Sequence, residues 1–449
     1  MTGGDGSVRA IDPVAESQRR RFGGGAVLVA VVAFAALCVA ALMRSAQLLE
    51  PDDYAYRASI MALTQGHLSL TNAEYQALLQ QLSSGGGQGI AQWVQTASGT
   101  WISEKNPGYP FLAAPFQALG LLAVAPLFYG ALGCLGLFFG ARRWLGHWGG
   151  TWTVVLFCSS GAALVFAWRA TMPTFTDASL IAAGSGALLW TVLATERTVL
   201  LRTVIGLLGF VALEAAVLVR YTNVVLLAVT VLATLVVFRR AALPLRAVGW
   251  WLGSVAALIA GILVFDHLFY GGALKTGYTA GLVTFSLGSV SPNLQNLAAP
   301  LGRSMPMVLL ALGTLGWLAV RAVRSRRPGI EPARCARYRR NTAVGTFLAL
   351  GWIGVWGLYS TYDWTARMAG GAGGGVHVIR FYLPALGLIA LLAAWLLAQL
   401  PRWLSVVVLV ALIGLGAWSY QDLAAAGIGG PGIGGPPGIG GPGVPPPRR

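Results

Sequence analysis

The chain has 449 residues, 56% hydrophobic and 10% charged, with a mean hydropathy of +0.68. Soluble domains carry about 25% charged residues, so this composition excludes a soluble globular protein and makes the bilayer the organising length. The formal net charge of +16 is almost all arginine, Lys105 and Lys275 being the only lysines, and its distribution along the chain points to membrane topology, not nucleic acid.

Arg19, Arg20 and Arg21 precede an apolar run over 26–43, as in a signal peptide. The run is long for that role and others follow it, so it is expected as an uncleaved first span after a cytoplasmic segment, 1–25. Further runs of spanning length fall near 124–141, 150–168, 178–195, 203–219, 222–238, 247–266, 305–322, 342–360, 381–400 and 403–419, which makes about eleven in all. The stretch 109–122 is short and broken by Pro110 and Pro115, and is expected as a re-entrant or interfacial helix. On that reading Arg142–Arg143, Arg197 with Arg202, Arg239–Arg240 with Arg246, and the basic loop 323–341 all lie inside, as the positive-inside rule requires. If 109–122 crossed, every later cluster would move to the outer face.

Three outer loops result, near 44–123, 267–304 and 361–380. The first contains "LTNAEYQALLQQL", patterned as an amphipathic helix, and then the turn-forming "SSGGGQG". The membrane domain is expected over 26–420, with a disordered Gly/Pro-rich tail at 421–449. Cys38, Cys134 and Cys158 sit in apolar runs and Cys335 in the Arg-rich loop, without the spacing of a zinc site or a disulfide framework.

Sorted by side, the outer ionisable residues are Asp52, Asp53, Glu104, Lys105, Arg169, Asp177, Arg220, Lys275, Asp363, Arg367 and Arg380. A carboxylate can take a proton from a hydroxyl, and arginine forks can hold phosphate oxygens, so this set suits phosphate chemistry at a membrane surface. "PDD" before "YAYRASIMALTQ" is also a good helix start, with an acidic first turn, so Asp52 and Asp53 are open to a capping role as well. Glu214 within a span is either a functional or a hydrogen-bonded structural carboxylate. His67 and His377 read as ordinary polar contacts, "GGAGGG" at 370–375 as a loop, and "RYTN" at 220–223 as a helix end or a site element.

In order, these motifs resemble the GT-C membrane glycosyltransferases, in particular the protein O-mannosyltransferase and lipid A aminoarabinose transferase branch. The likeness rests on "PDDYAYRASIMALTQGHLSL", "EKNPGYPFLAAPF", "MPTFTDASLIA", "YGGALKTGYTAG" and "VIRFYLPALGLIALLAAW", over about residues 26–400. It implies an all-α polytopic bundle with interfacial helices in the first outer loop. It further implies transfer of a sugar, with inversion, from a polyprenyl-phosphate donor to a lipid, glycan or protein acceptor on the extracytoplasmic face of the cell membrane.

Asp52 matches the family's first acidic residue, the catalytic base; Asp53 would orient the acceptor or a metal. Asp177 matches a recurrent second acid, and Arg380 a basic position for the carrier phosphate. Lys105 and Tyr109 in the second motif, Tyr278 in the fourth and the outer Arg220 complete the expected substrate-binding set. A divalent cation is open as cofactor, with Asp52 and Asp53 its only candidate ligands. The alternative is a transporter or flippase for a lipid-linked sugar, which should carry broken, polar helices near the midplane, whereas most spans here are uninterrupted.

Overall fold

The structure, a computed structural model, describes residues 13–44, 51–83, 92–237, 243–278, 283–324, 331–369 and 378–429. The long apolar runs form helices because only a helix satisfies every backbone group within hydrocarbon. In chain order they are α1 (Pro13–Leu42), α5 (Ala125–Ser159) with the short α6 (Gly161–Ala167), α7 (Thr174–Leu193), α8 (Val199–Val219), α9 (Val224–Val237), α10 (Leu245–Tyr270), α12 (Val308–Arg324), α13 (Pro332–Ser360), α15 (Leu386–Leu397) and α16 (Arg402–Gly429). The segment between α1 and α5 contributes α2 (Pro51–Thr64), α3 (Asn72–Ser83), a hairpin of β1 (Trp93–Gln95) and β2 (Trp101–Ser103), and α4 (Gly108–Ala118). Later come α11 (Val290–Ser304) and α14 (Asp363–Ala369).

Seven helices among the described residues are long and apolar enough to cross a membrane, or eight if the bent pair ending in α12 is one span. The difference from the eleven expected lies in two shorter helices and in one pair that counts here as a single stretch. The expected spans at 222–238 and 381–400 are helices of 14 and 12 residues, α9 and α15. The expected pair at 124–141 and 150–168 falls within α5 and remains two segments, divided by non-helical geometry at Gly146 (φ 83, ψ −178). The chain reverses there: the Cys134 and Cys158 sulfurs lie 3.5 Å apart, although a straight helix would separate them by about 36 Å. Only glycine adopts that φ without strain.

The core of the bundle is the contact of α5 with α7. Gly133, Gly136 and Gly140 face Ser179, Ala183 and Gly186, so closely that an added Cβ would strike the opposite backbone. Small residues at this spacing let membrane helices approach and gain dispersion contact without a hydrophobic driving force. α15, wholly apolar and almost wholly buried, also packs against α5 and α7.

The short stretch at 109–122 contains α4, whose 11 residues are too few to cross, as expected. α11 meets α12 at a 101° bend. Two other boundaries move. Most of the expected loop 323–341 is helical, since α12 runs to Arg324 and α13 starts at Pro332. α16 continues to Gly429, into the expected tail, because "QDLAAAG" favours helix until the first proline at 431. The rest of the tail, the 370–375 glycines and His377 lie outside the described residues.

In the segment between α1 and α5, Thr71 and Glu74 form a reciprocal capping box: Glu74 accepts from the Thr71 N–H at 2.8 Å and its own N–H donates to Thr71 Oγ1 at 3.3 Å. Tyr75 of α3 stacks on Trp101 of β2 with centroids 4.3 Å apart. With Ala55, Ala58, Ala62, Leu70, Leu78 and Trp93 it builds a separate small core. "SSGGGQG" falls outside the described residues beyond Ser83.

The two ends of the bundle differ chemically. At one, Arg143 pairs with Glu196 at 2.6 Å, Trp144 donates to Asn341 at 3.1 Å, and Arg321 donates to Gln399 at 3.2 Å. The buried acidic and basic residues of α2, β2–α4 and the segment before α15 gather at the other.

Candidate active site

α2 brings Asp52 and Asp53 to this end in its first turn, where carboxylates complement the helix dipole. Consecutive helical residues point about 100° apart, so the two carboxylates meet different surroundings. Asp53 is fully buried: Arg169 NH2 lies 2.5 Å from its Oδ2, and Thr171 Oγ1 donates to its Oδ1 at 2.7 Å. The Asp52 side chain keeps 20% exposure. Its Oδ1 accepts from Lys105 Nζ at 3.0 Å and Gln92 Nε2 at 2.9 Å, and its Oδ2 meets Arg380 NH2 at 3.0 Å.

Lys105 is held from several sides. It lies 3.3 Å from Glu104 Oε1 and over the Tyr278 ring at 5.0 Å, and its side chain is 7% exposed. The "KTGY" turn reaches Glu104 because Gly277 presses on that residue's backbone, where a side chain would clash. Tyr270 Oη donates to the Ser103 carbonyl at 2.9 Å, tying the end of α10 to the same strand. Arg380 lies over Phe381 and Trp364, at 4.9 and 5.5 Å from the ring centroids.

The electrostatics follow from these distances. Burial opposes ionisation of Asp52, but the charges of Lys105 and Arg380, with hydrogen bonds from Lys105 and Gln92, overcome it and hold the carboxyl well below the usual range. Burial likewise opposes the Lys105 charge, yet Asp52, Tyr278 and Glu104 keep the ammonium firmly protonated, its pKa raised. Burial pushes the Glu104 carboxyl up, against the pull of Lys105. Burial also raises the Tyr278 hydroxyl.

The expected site residues thus divide. Asp52, Lys105, Tyr278 and Arg380 converge. Asp53 is beside them but turned inward. Asp177 is fully buried, with Asn223 Nδ2 donating to it at 2.6 Å and Arg220 Nε 3.3 Å away. Arg220 directs its guanidinium to Asp177, Thr174 and the Arg380 carbonyl. Tyr109 is fully buried, donates to the Ala170 carbonyl at 2.5 Å and meets Tyr56 edge-on, which braces α4. Gln92, Glu104, Arg169 and Thr171 were not in the expected set. The adjacency of Glu104 to Lys105 was a usable signal; Gln92 and Thr171 carry none in the sequence.

Three further expectations resolve. "RYTN" is a helix end, with Arg220 capping α8 and Tyr221–Asn223 forming a 3-10 turn. Glu214 accepts from Ser254 Oγ at 2.7 Å, joining α8 to α10. His67 meets Glu74 at 3.8 Å on the surface.

A divalent cation does not fit these residues. The Asp52 carboxylate is taken by two cationic side chains and that of Asp53 by a third. Among the described residues no group of three or more His, Cys, Asp or Glu side chains could hold a metal ion.

No family model and no curated protein matches the sequence. Solved structures do match. ArnT from Cupriavidus metallidurans in the apo state has a TM-score of 0.51 at 17% identity, covering 85% of this chain and 61% of that one. The Archaeoglobus fulgidus oligosaccharyltransferase in its apo form has a TM-score of 0.53 at 11% identity, covering 90% and 56%. The same archaeal enzyme complexed with Zn and sulfate gives 0.51 at 13% identity, covering 88% and 53%. The chain therefore spans about three-fifths of the length of these structures or less. At these identities the likeness is one of fold: the chain shares the fold of ArnT and of the archaeal oligosaccharyltransferase.

Proposed function

We propose that this protein is a multi-pass membrane glycosyltransferase that moves a sugar, with inversion, from a polyprenyl-phosphate donor to an acceptor hydroxyl on a lipid, glycan or protein at the extracytoplasmic face. The observation that carries this reading is the partly exposed Asp52 carboxylate held between Lys105 and Arg380. A base and two phosphate-binding cations are there within one hydrogen-bonded cluster. The arginine pattern supports an extracytoplasmic site, since the opposite end bears the Arg143, Arg321 and Arg340 clusters.

A lipid-linked donor is supported by a cavity of about 240 Å³ between α4, α8 and α10, lined by apolar residues such as Phe111, Leu112, Leu218, Ile262 and Phe265. Pro107 and Phe265 also line the small neighbouring pocket that contains Lys105. A prenyl chain in the first would leave its phosphate near the lysine.

In the reaction, the phosphate takes Lys105 and Arg380 as ligands through charge-assisted hydrogen bonds. Asp52 then loses two neighbouring cations, and its basicity rises. The acceptor oxygen attacks the anomeric carbon, its proton passes to an Asp52 oxygen, and the bond from that carbon to the phosphate oxygen breaks. Lys105 and Arg380 stabilise the negative charge growing on the leaving phosphate. Most of the buried charge among the described residues gathers at one end of the bundle, the exceptions being Glu214 within α8, bonded to Ser254, and Arg202 at the other end of that helix, and this favours transfer over passage of a lipid-linked sugar.

The test is an assay of membranes containing the protein with a panel of labelled polyprenyl-phosphate sugars. Wild type should consume at least one carrier, and Asp52→Asn should consume none while inserting normally. Full transfer by that variant removes Asp52 as base. No turnover of any carrier by wild type would favour transport.

A further inference from the structure

Asp177 and Arg220 lie at the same end as the site but take no part in the steps above. Arg220 leaves the last turn of α8 with an extended backbone (φ −146, ψ 111). Its three guanidinium nitrogens go to three different groups: Nε to Asp177 Oδ2 at 3.3 Å, NH2 to Thr174 Oγ1 at 3.0 Å, and NH1 to the carbonyl oxygen of Arg380 at 3.2 Å. Its plane lies over the Phe381 ring, 5.4 Å from the centroid. Asp177 is closed on its other side by Asn223 Nδ2 at 2.6 Å, and Asn223 also donates to the Ala216 carbonyl at 2.9 Å. One guanidinium therefore ties together α7, the α8–α9 junction and the turn that carries Arg380.

We propose that Asp177, acting through Arg220, is a positioning residue that sets Arg380 against Asp52. Neither Asp177 nor Arg220 touches substrate. Arg380 lies in a short non-helical turn before α15, where its carbonyl is a natural handle for fixing the side chain's direction. Without the Asp177 carboxylate, Arg220 would be a buried cation facing two neutral oxygens, and that geometry would relax. A lysine at 220 keeps the charge but cannot bridge three directions with a planar fork. The kinetic consequence rests on the reading of Arg380 as a phosphate ligand; the structural one does not.

The experiment uses the purified full chain and two variants, Asp177→Asn, which retains an oxygen for Asn223, and Arg220→Lys. Hydrogen exchange, with no substrate present, should quicken about tenfold or more at residues 378–385 in both variants, with residues 386–397 unchanged. The double variant should be no faster than either single one, because both break the same link. With a labelled polyprenyl-phosphate sugar, each variant should raise the donor KM about tenfold and lower kcat as well, because Arg380 both binds the phosphate and stabilises the charge that grows on it. Unchanged exchange at 378–385 in either variant, or additive effects in the double, overturns the proposal. So does an active Asp177→Asn protein with wild-type donor KM, or an Arg220→Lys protein indistinguishable from wild type. If wild type turns over no carrier while the exchange pattern holds, the functional reading fails and the positioning link stands.

Discussion

Arg169 lies 2.5 Å from Asp53 in a pair closed off from solvent, and this contact separates two adjacent carboxylates that look alike in the sequence. Asp53 anchors α2 to the segment that leads into α7. Its neighbour, one residue earlier, faces the partly open cluster of Lys105 and Arg380.

The two substitutions should therefore fail differently. Removing one partner of a buried ion pair strands the other charge, at a cost of about 3–5 kcal/mol. Asp53→Ala is expected to lose that much stability, seen as a lower unfolding temperature and a poor yield of folded protein in detergent. Asp52→Asn should unfold like wild type and yet transfer no sugar. Equal loss of fold in both would contradict the division.

The cluster also fixes a pH response. The Asp52 carboxyl is held below its ordinary value of about 3.9, so its contribution to stability is fully present above that pH. That contribution is lost only as pH falls through the lower folded value. Lys105 is raised above its ordinary value of about 10.4, so its contribution is present below that pH and lost as pH rises through the folded value. Between about pH 5 and 8 the pair should contribute no slope. Lys105→Met removes one of the two cations and leaves burial pulling the Asp52 carboxyl upward against Arg380 and Gln92. Unfolding temperatures from pH 3 to 8 should then show the acid limb of this variant shifted to higher pH.

Much of this architecture was readable because hydrocarbon imposes a length and a polarity on each helix. Arginine placement also grouped Asp52, Lys105, Asp177, Arg220 and Arg380 at one end. What stayed hidden depends on direction in three dimensions. Whether Asp52 or Asp53 turns inward depends on the phase of α2 against Arg169 and Thr171, which lie far along the chain. Tyr109 and Asp177 sit in motifs that suggest a site, yet their polar groups are consumed by the Ala170 carbonyl and by Arg220 with Asn223. The hairpin β1–β2 was missed because three-residue strands leave too little alternation to detect.

The glycine contacts between α5 and α7 give a prediction about assembly. A side chain at Gly136 would strike the Ala183 backbone, and the helices could accommodate it only by moving apart. Gly136→Val is expected to abolish folded protein, judged by monodispersity after extraction. Gly316→Val, on α12 where an added Cβ meets nothing within 4 Å, should behave as wild type.

The apolar cavity allows a sharper test of what the donor is. An added Cβ at Gly261 meets nothing within 4 Å, so Gly261→Leu can enter the cavity without disturbing the helices around it. It would displace a prenyl chain from part of the 240 Å³ that Leu218, Ile262 and Phe265 enclose. Each buried methylene contributes about 0.8 kcal/mol, so exclusion of two or three should raise the KM of a long-chain donor by about ten- to fiftyfold. A donor whose lipid is too short to reach the cavity loses nothing, and its KM should not change. This contrast in chain length separates a tail-binding cavity from a change at the reacting centre, which would slow both donors alike. If Gly261→Leu leaves the long-chain KM unchanged while the protein stays folded, the chain lies elsewhere, and the approach to Lys105 must come from a different face.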